Sequence, residues 1–464
     1  MNRKALPKLI IVVSLVAALA IVVPMMSGCL PRAAAPPEVA PPEVAPPEPA
    51  AEPIKVGFIA PLSGPAALGG EEAVRGARLA QKEINAAGGI LGRPMELIIL
   101  DTKAYVDERP AELVDELVLK QDVLWISGGF SDSIGWPVRE RAAYREVPYL
   151  GWVPWDSMGT RGENLHPWLW VTGPDTEAMA WMTIPYLLSN DLVPKDFVTL
   201  GPDYEWGWSN SKSAIKPIEA FGGNVVAEVF TPVPTIKFDT IVAQIQELLP
   251  QGGTILDTHF GAGMIELMGE VYAAGLLDKG YAFVKTTVYG PSTYSIIPQE
   301  QWEGVWAYTE YYPYMPDDQI HLEWIERHVA ENGVLPGTLE FHNYVTLHAA
   351  ADGINMTGSL DPDVWIPAVQ GEVLTGLVTD GEYMFQDLTG RLLWPSIIMR
   401  GKAPEDKVDI FPTIPEIGPE WDMFEIMHTF DVDYQLAIIP EEVYLEGTEI
   451  GGPGIGDGVL DYWK

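Results

Sequence analysis

The sequence predicts an α/β protein of two lobes, each a parallel sheet flanked by helices, with a cleft between the lobes and several segments crossing from one to the other. Two observations carry this. Residues 54–101 read as an apolar run, a turn, an amphipathic helix, a glycine pair and a second apolar run, which is one βαβ unit. The same alternation restarts at Asp196 and continues to Thr286, so a second sheet is expected. Length agrees, because the 464 residues without 1–28 leave 436, too many for one ordinary core and enough for two.

The first strand is the run IKVGFIAPL from Ile54, followed by the turn Ser63-Gly64-Pro65. A helix is expected from about Glu71 to Ala87. Ala73, Ala77, Ala80 and Ile84 form its buried stripe, and Arg78, Lys82 and Glu83 face water. Gly88-Gly89 stops it, since glycine takes the left-handed cap without steric cost. Met95 to Leu100, closed by Asp101, is the next strand, and short unbroken apolar runs suit strands buried on both faces. Then come a helix from Asp107 to Lys120 and strands at Val123 to Ile126, Val147 to Val153 and Trp168 to Thr172. The second series has strands at Phe197 to Leu200, Asn224 to Phe230, Gly253 to Asp257 and Tyr281 to Thr286. Its helices run from Trp208, Phe238 to Leu249 and Met264 to Ala274. Pro217 is expected to kink the first of these helices or split it in two. A run at Val305 to Thr309 and helical patterns at Gln319 to Asn332, Thr338 to Asn355 and Pro362 to Gln370 follow.

Ahead of this body, Arg3, Lys4 and Lys8 precede the apolar run Leu9 to Val23, which meets Met26-Ser27-Gly28-Cys29. A basic start, a short apolar stretch and small residues before a cysteine describe a secretory signal, 1–28, with Cys29 placed as in a lipobox. The alternative is a signal anchor with an incidental buried cysteine. Cys29 is the sole cysteine, so no intrachain disulfide competes for it. Residues 31–52, PRAAAPPEVAPPEVAPPEPAAE, are held extended by proline and read as a semi-rigid spacer, making 29–53 a lipid-anchored linker. Formal charge is −37, and removing the three basic residues of the signal makes the rest −40. Phosphates would be repelled, which argues against nucleic acid or anionic lipid as a partner.

In open α/β sheets ligands sit at the carboxyl ends of strands. The loop Ser127-Gly128-Gly129-Phe130-Ser131-Asp132-Ser133 stands at such an end. Ser131 and nearby amides would hold a carboxylate or similar anion there, or Ser131 would cap the next helix.

The order IKVGFIAPLSGPAALGG and then GARLAQKEINAAGGILGRPMELIILD resembles the leucine/isoleucine/valine-binding branch of ABC-transporter solute-binding proteins, of the type I periplasmic-binding-protein fold. GEYMFQDLTGRLLWPSIIMRGK, with its turn Asp387 to Gly390, resembles the same family's late hairpin, so the likeness covers roughly 54–402. The resemblance implies a receptor that closes on a small solute and delivers it to ABC transporter permease subunits. It also implies an extracytoplasmic location, with the membrane touched through the lipid anchor only. A monomer without cofactor or metal is expected. The lobes are expected as 54–172 with 305–378, and 173–304 with 379–402. Crossings are placed near 172, 304 and 378, with 403–464 an extension on the second lobe.

The resemblance places Ser157 and Asp175 at the polar head of the ligand, Asp175 near an ammonium group; the bland alternatives are a turn serine and an Asx-type turn. Trp206 falls where the family has an aromatic covering the ligand, offering a flat wall and an indole donor, though with sixteen tryptophans core packing is the ordinary use. Phe260 is a candidate for the opposite wall. Two positions depart from the pattern: Gly263 stands where amino-acid binders carry a glutamate that pairs with the ammonium, and Gly69 replaces an aromatic that often follows the SGP turn. Both leave room for a solute other than a branched-chain amino acid.

No catalytic pattern stands beside this. G-x-S-x-G and H-E-x-x-H are absent, and the glycine pairs lack the Gly-Lys-Ser/Thr of a phosphate loop. His342 and His348, or His321 and His328, are not at the four-residue helical spacing of a metal pair, and the aspartate pairs do not continue into a calcium loop. The expectation is a non-enzymatic solute-binding protein for an amino acid, amide or related carboxylate; a sensing receptor domain of the same fold, or more remotely a secreted hydrolase, are the alternatives.

Overall fold

The structure is a computed structural model. It describes residues 51–438 except 65, 104–108, 153–161, 163–164, 174, 234–236, 316–317, 388, 410, 412–413, 415–416 and 419–420, together with 455–456, 459 and 462–463. Cys29, the linker and Ser157 lie outside the described residues.

The first lobe is built on a parallel five-stranded sheet of order β2-β1-β3-β4-β5, with β1 at Ile54–Ala60, β2 at Met95–Asp101, β3 at Ile126–Gly128, β4 at Tyr149–Gly151 and β5 at Leu169–Val171. Val56, Phe58 and Ile59 on β1 are wholly buried, as the apolar run demands. Helices α1 (Ala67–Ala86), α2 (Arg109–Glu116) and α3 (Asp132–Tyr144) connect these strands. The helix expected from Glu71 starts a turn earlier, at Ala67, and takes in Gly69 and Gly70. Intrinsic propensity puts these glycines outside a helix, but close packing overrides it.

The second lobe is built on a seven-stranded sheet, order β15-β14-β10-β9-β8-β6-β7. Its strands are β6 (Asp196–Pro202), β7 (Asn224–Thr231), β8 (Thr254–Asp257), β9 (Ala282–Lys285), β10 (Trp306–Thr309), β14 (Ser396–Gly401) and β15 (Phe424–Phe430). Helices α4 (Thr176–Ser189), α5 (Glu205–Ala220), α6 (Asp239–Leu248) and α7 (Gly261–Ala273) interleave the parallel strands; the short α8 (Pro291–Tyr294) and α9 (Gln299–Trp302) precede β10. Successive residues divide between the two faces, as the two-residue period of a strand requires. Ile255, Phe283, Ala307 and Ile397 join the larger core, which runs on into the first lobe, whereas Leu256, Val284, Tyr308 and Ile398 join a second core with α4 and α13 (Val432–Ile438). Burying side chains of this size is worth about 1.5–3 kcal/mol each. Pro217 does not divide α5, which runs unbroken from Glu205 to Ala220; the proline costs one hydrogen bond, but it falls in the last turn, with only three helical residues after it.

Helices α10 (Gln319–Asn332), α11 (Thr338–Thr357) and α12 (Pro362–Trp365) return to the first lobe. There Arg75 on α1 reaches Glu340 on α11 at 2.6 Å, and a Cβ on Gly76 would lie 2.1 Å from the Glu340 carbonyl oxygen. Strands β11 (Val373–Leu374), β12 (Tyr383–Phe385) and β13 (Leu392–Leu393) form a small antiparallel sheet.

The strand pairings correct two expected boundaries. Residues 306–309, expected in the first lobe, pair with β9 and β14 of the second, so the crossing follows Thr309 rather than 304. Residues 383–393, expected in the second lobe, lean on the first: Arg391 bridges to Val171, and Phe385 stacks on Trp170 at 4.2 Å. A short strand's lobe depends on its partners, and nothing in its own residues states it. The segment after 402 supplies β15, the edge strand beside β14.

Candidate functional site

Both sheets change direction at a strand whose next two strands in the chain are placed on opposite sides of it: β1, between β2 and β3, and β6, between β7 and β8. Such switch points open a crevice at the carboxyl ends of the strands. The loops after β1 and β3 and those after β6 and β8 come together around two adjoining cavities.

The larger, about 140 Å³, is lined by Leu68, Gly69 and Glu72 of α1, by Phe130 and Leu339 from the first lobe, and by Phe260 to Ala262, Ile265, Tyr289 and Thr293 from the other side. The smaller, about 10 Å³, has room for roughly one water and lies among Phe130, Ser131, Asp132, Tyr204, Trp206 and Phe260, with Tyr289 again on its wall. A far larger open groove of 1320 Å³ lies at the opposite ends of the second sheet's parallel strands, near Pro194, Gly280 and Trp306. It contains none of the switch-point loops, so the smaller, enclosed space is the candidate site.

Gly128 and Gly129, at φ of 90° and 122°, turn the chain over the end of β3, where a Cβ on Gly128 would lie 2.3 Å from the Ile59 carbonyl oxygen. This delivers Phe130, then Ser131 at the N-cap of α3. Ser131 is buried and extended in backbone, and its side chain makes no cap hydrogen bond to the helix. Phe130 meets Phe260 edge-on at 5.8 Å, Tyr289 at 6.4 Å and Trp152 at 6.3 Å. The Phe130 ring occupies the space that a side chain at residue 69 would take: a Cβ there would lie 2.3 Å from its Cε2. The aromatic missing at Gly69 is thus supplied from another element.

Trp206, in the first turn of α5, is buried and donates its indole N–H to the Thr258 carbonyl at 2.8 Å. Its donor is therefore engaged, tying the loop after β6 to the loop after β8. Phe260 occupies the N-cap position of α7. Asp175 is placed differently: it caps α4, accepting from the Glu177 and Ala178 amides at 2.9 and 3.1 Å, and lines neither cavity. Gly263 leaves its position without a carboxylate, its nearest neighbours being His259 and Phe238.

Sequence reasoning singles out Ser131 and passes over its neighbours Phe130 and Asp132, as well as Tyr204, Tyr289 and Glu72. Glu72 is wholly buried, with Thr293 donating to it at 3.4 Å. A glutamate in the first turns of a helix ordinarily faces water, so only the meeting of the lobes reveals it. Asp132, also buried, sits in the first turn of α3. Burial, and next the negative charges of Asp132 and Glu310, push the Tyr289 phenol far above its ordinary value, so it stays protonated. Glu310 itself, just after β10, lies 3.0 Å from His342 Nε2 on α11.

Beneath the loop that carries Phe260, Asp257 at the end of β8 pairs with Lys285 at the end of β9, and both are wholly buried. Asp257 also meets His259 Nδ1 at 2.7 Å, His259 Nε2 meets Thr231 Oγ1 at 2.8 Å, and Lys285 donates to the His259 carbonyl. Burial pushes the Asp257 carboxyl upward, but Lys285 and His259 hold it below its usual value. Among the described residues no group of histidine, cysteine and acidic side chains could hold a metal ion, and no helix is long and apolar enough to cross a membrane.

A family model described as periplasmic binding protein matches residues 53–388. The Leu/Ile/Val-binding protein homolog 8 of Brucella abortus is 26% identical over 339 residues, which is 68% of this chain and 80% of that protein. Among solved structures, an amino acid ABC transporter substrate-binding protein from Pseudomonas fluorescens superposes with a TM-score of 0.73 at 18% identity, over 82% of this chain and 96% of its own. A solute binding protein of an ABC transporter from Rhodopseudomonas palustris, solved in complex with 3,4-dihydroxy benzoic acid, gives 0.69 at 19% identity, over 82% and 97%. These relatives are solute-binding proteins, not enzymes, and their family is extracytoplasmic. With the family match covering most of the folded body, the chain belongs to the periplasmic binding protein family.

Proposed function

We propose that this protein captures a small polar solute, an amino acid, an amide or a related carboxylate, by hinge closure and passes it to the permease subunits of an ABC importer. Cys29 carries the lipid anchor in this reading, and the proline-rich linker holds the body away from the membrane. One observation carries the choice of site: each lobe contributes its switch-point loops to the same pair of adjoining cavities, and Phe130 of the first lobe touches Phe260 of the second across them. Opening the lobes would part these rings and admit solute; closing them would exclude water and strengthen polar contacts within. Ser131, Trp206 and Phe260 are the residues proposed to line the bound solute. Ser157 is kept as a proposed contact from the resemblance alone, and Asp175 is given a supporting role, holding the start of α4.

Thermal melting of the full chain against amino acids, amides, short carboxylates and aromatic acids tests the reading. A ligand that binds only the folded protein raises the melting temperature by mass action. The expected result is a saturable rise with one chemical class, one solute bound per chain and no product formed. No rise with any compound, or turnover of one, would overturn it.

A further inference from the structure

The open groove at the far end of the second lobe, 1320 Å³, exceeds the roughly 300–1,000 Å³ of a small-molecule site. Its two walls have different origins. One belongs to the family's body: the end of α7 with Tyr272 and Ala273, the turn through Asp278, and Glu300 and Glu303 around α9. The other lies beyond residue 388, where the family match stops, and includes Lys402, Asp406, Val408 and Phe424 to Ile426 of β15. This second wall is held firmly. Gln299 Nε2 donates to the Lys402 and Met423 carbonyls at 2.7 and 2.9 Å, and the Tyr312 hydroxyl accepts from the Met423 and Phe424 amides at 3.1 and 3.0 Å. A wall fixed beforehand lowers the ordering cost of association.

Six carboxylates and two cations line the groove. Asp422 is answered by Lys402 at 2.5 Å, and Glu425 stands opposite Arg400 in the β14–β15 register. Asp278, Glu300, Glu303 and Asp406 remain, all exposed and without an ion pair among the described residues. Of the basic residues beside the lining, Lys279 donates to the Ala274 carbonyl at 2.6 Å, Lys195 lies 3.6 Å from Asp191, and Lys407 stands in the chain among Glu405, Asp406 and Asp409. Helix ends do not reverse the sign. The carboxyl end of α7 is on the lining and adds about half a negative charge. Three single turns begin here, 277–279, α9 and 404–406. Even at half a positive charge each, they offset only about one and a half of the four carboxylates.

The lining is apolar on both walls as well: Tyr272 and Val408 are each 51% exposed, and Leu192 is 37% exposed. Such residues need no explanation when scattered singly, but these share one groove. A second copy of the chain does not bring the opposite sign, since its charge is −37. A basic segment of another protein does.

We infer that this groove docks a basic segment of a partner protein, its lysines or arginines on the four carboxylates and its apolar side chains against Tyr272 and Val408. The solute cavities lie at the opposite ends of the strands, so a partner seated here leaves the cleft free.

The test is fluorescence anisotropy of the full chain with a labelled amphipathic peptide of lysine and leucine, an all-lysine peptide and a glutamate–leucine peptide. Salt is held at about 0.15 M, which screens exposed charges beyond about 8 Å. The lysine–leucine peptide should bind saturably, one per chain, and at least tenfold more tightly than either of the others. Glu300→Lys with Glu303→Lys should weaken it tenfold or more, and Tyr272→Ser threefold or more. Glu96→Lys with Glu372→Lys is the control: both residues are exposed and outside the groove, the change in net charge is the same, and affinity should stay within twofold. Unchanged melting temperatures establish that each variant is folded. Equal weakening by the two pairs would assign binding to overall charge, and absence of saturable binding would leave the groove without this partner; either overturns the inference. A dimer on size-exclusion chromatography that Tyr272→Ser dissolves would give the groove to a second copy and overturn it too.

Discussion

Replacing Lys285 with methionine tests what holds the second wall of the cleft. Methionine approximates the volume of lysine but removes the ammonium, leaving Asp257 wholly buried opposite an apolar group. Removing one partner of a buried pair costs about 3–5 kcal/mol. The His259 carbonyl loses its Lys285 donor as well, a term of about 1–3 kcal/mol for an unsatisfied buried acceptor that overlaps the first rather than adding in full. A loss of about 3–5 kcal/mol is therefore expected, read by urea unfolding at pH 7. The sign with pH is fixed by Asp257. In the native protein its carboxyl is held below the usual value, so its contribution is fully present above the ordinary carboxylate pKa, about 3.9, and is lost as pH falls through the lowered one. In Lys285→Met the upward push of burial dominates, the carboxyl pKa rises, and the deficit shrinks as acid protonates it. A second change, Asp257→Leu, should recover most of the stability, since an apolar pair often matches a buried ion pair. A deficit below about 1 kcal/mol, the range of solvated surface pairs, or one independent of pH between 4 and 7, would refute the claim that this pair is a desolvated support.

Two glycines should respond oppositely to alanine. Gly263→Ala places a methyl at ordinary contact, 3.5 Å from His259 Cδ2, within α7, and should stabilise by about 0.5–1 kcal/mol; Gly69→Ala drives a methyl into the Phe130 ring and should cost about 1–3 kcal/mol. Melting temperatures decide both, and equal shifts would contradict the packing described. Ending the chain after Lys402 removes β15 and bares β14, whose Ile397, Ile398 and Met399 are buried. Phe424 and Phe430 are lost with it, each worth about 1.5–3 kcal/mol, and size-exclusion chromatography should show association through the new edge. A monomer with unchanged melting would show that β15 is dispensable.

The alternation of strands and helices was legible because buried parallel strands announce themselves as short apolar runs, as at Ile54 and Gly253. Ser131 and Phe260 were singled out by their place just after such runs, and Trp206 by the resemblance alone. What the residues could not state was partnership. Trp306 to Thr309 looks the same whichever sheet it joins, and Glu72 looks like any glutamate near a helix start until Thr293 and Tyr289 close over it. Asp175 takes the second of its two readings in this structure: beside the ligand role that the resemblance implies, it serves two helix amides as an Asx-type cap. Gly69 and Phe130 show a third kind, in which a change at one position is answered by a ring from elsewhere in the chain.

The late arrival of β14 and β15 sets the order in which the protein can become itself. Strand β10 pairs with β14, nearly a hundred residues further along, and β14 with β15 after a further loop. Between them the chain must leave the second lobe, build α10 and α11 against α1, and come back. Long-range pairings of this kind are slow, because the entropy of closing the loop is lost before the contacts form. The first lobe's five strands all lie within residues 54–171 and can assemble early; the second remains open on the β10 side until the last part of the chain is delivered. During that interval β10 is an unpaired edge, and a newly made molecule is at its most vulnerable to association with its neighbours.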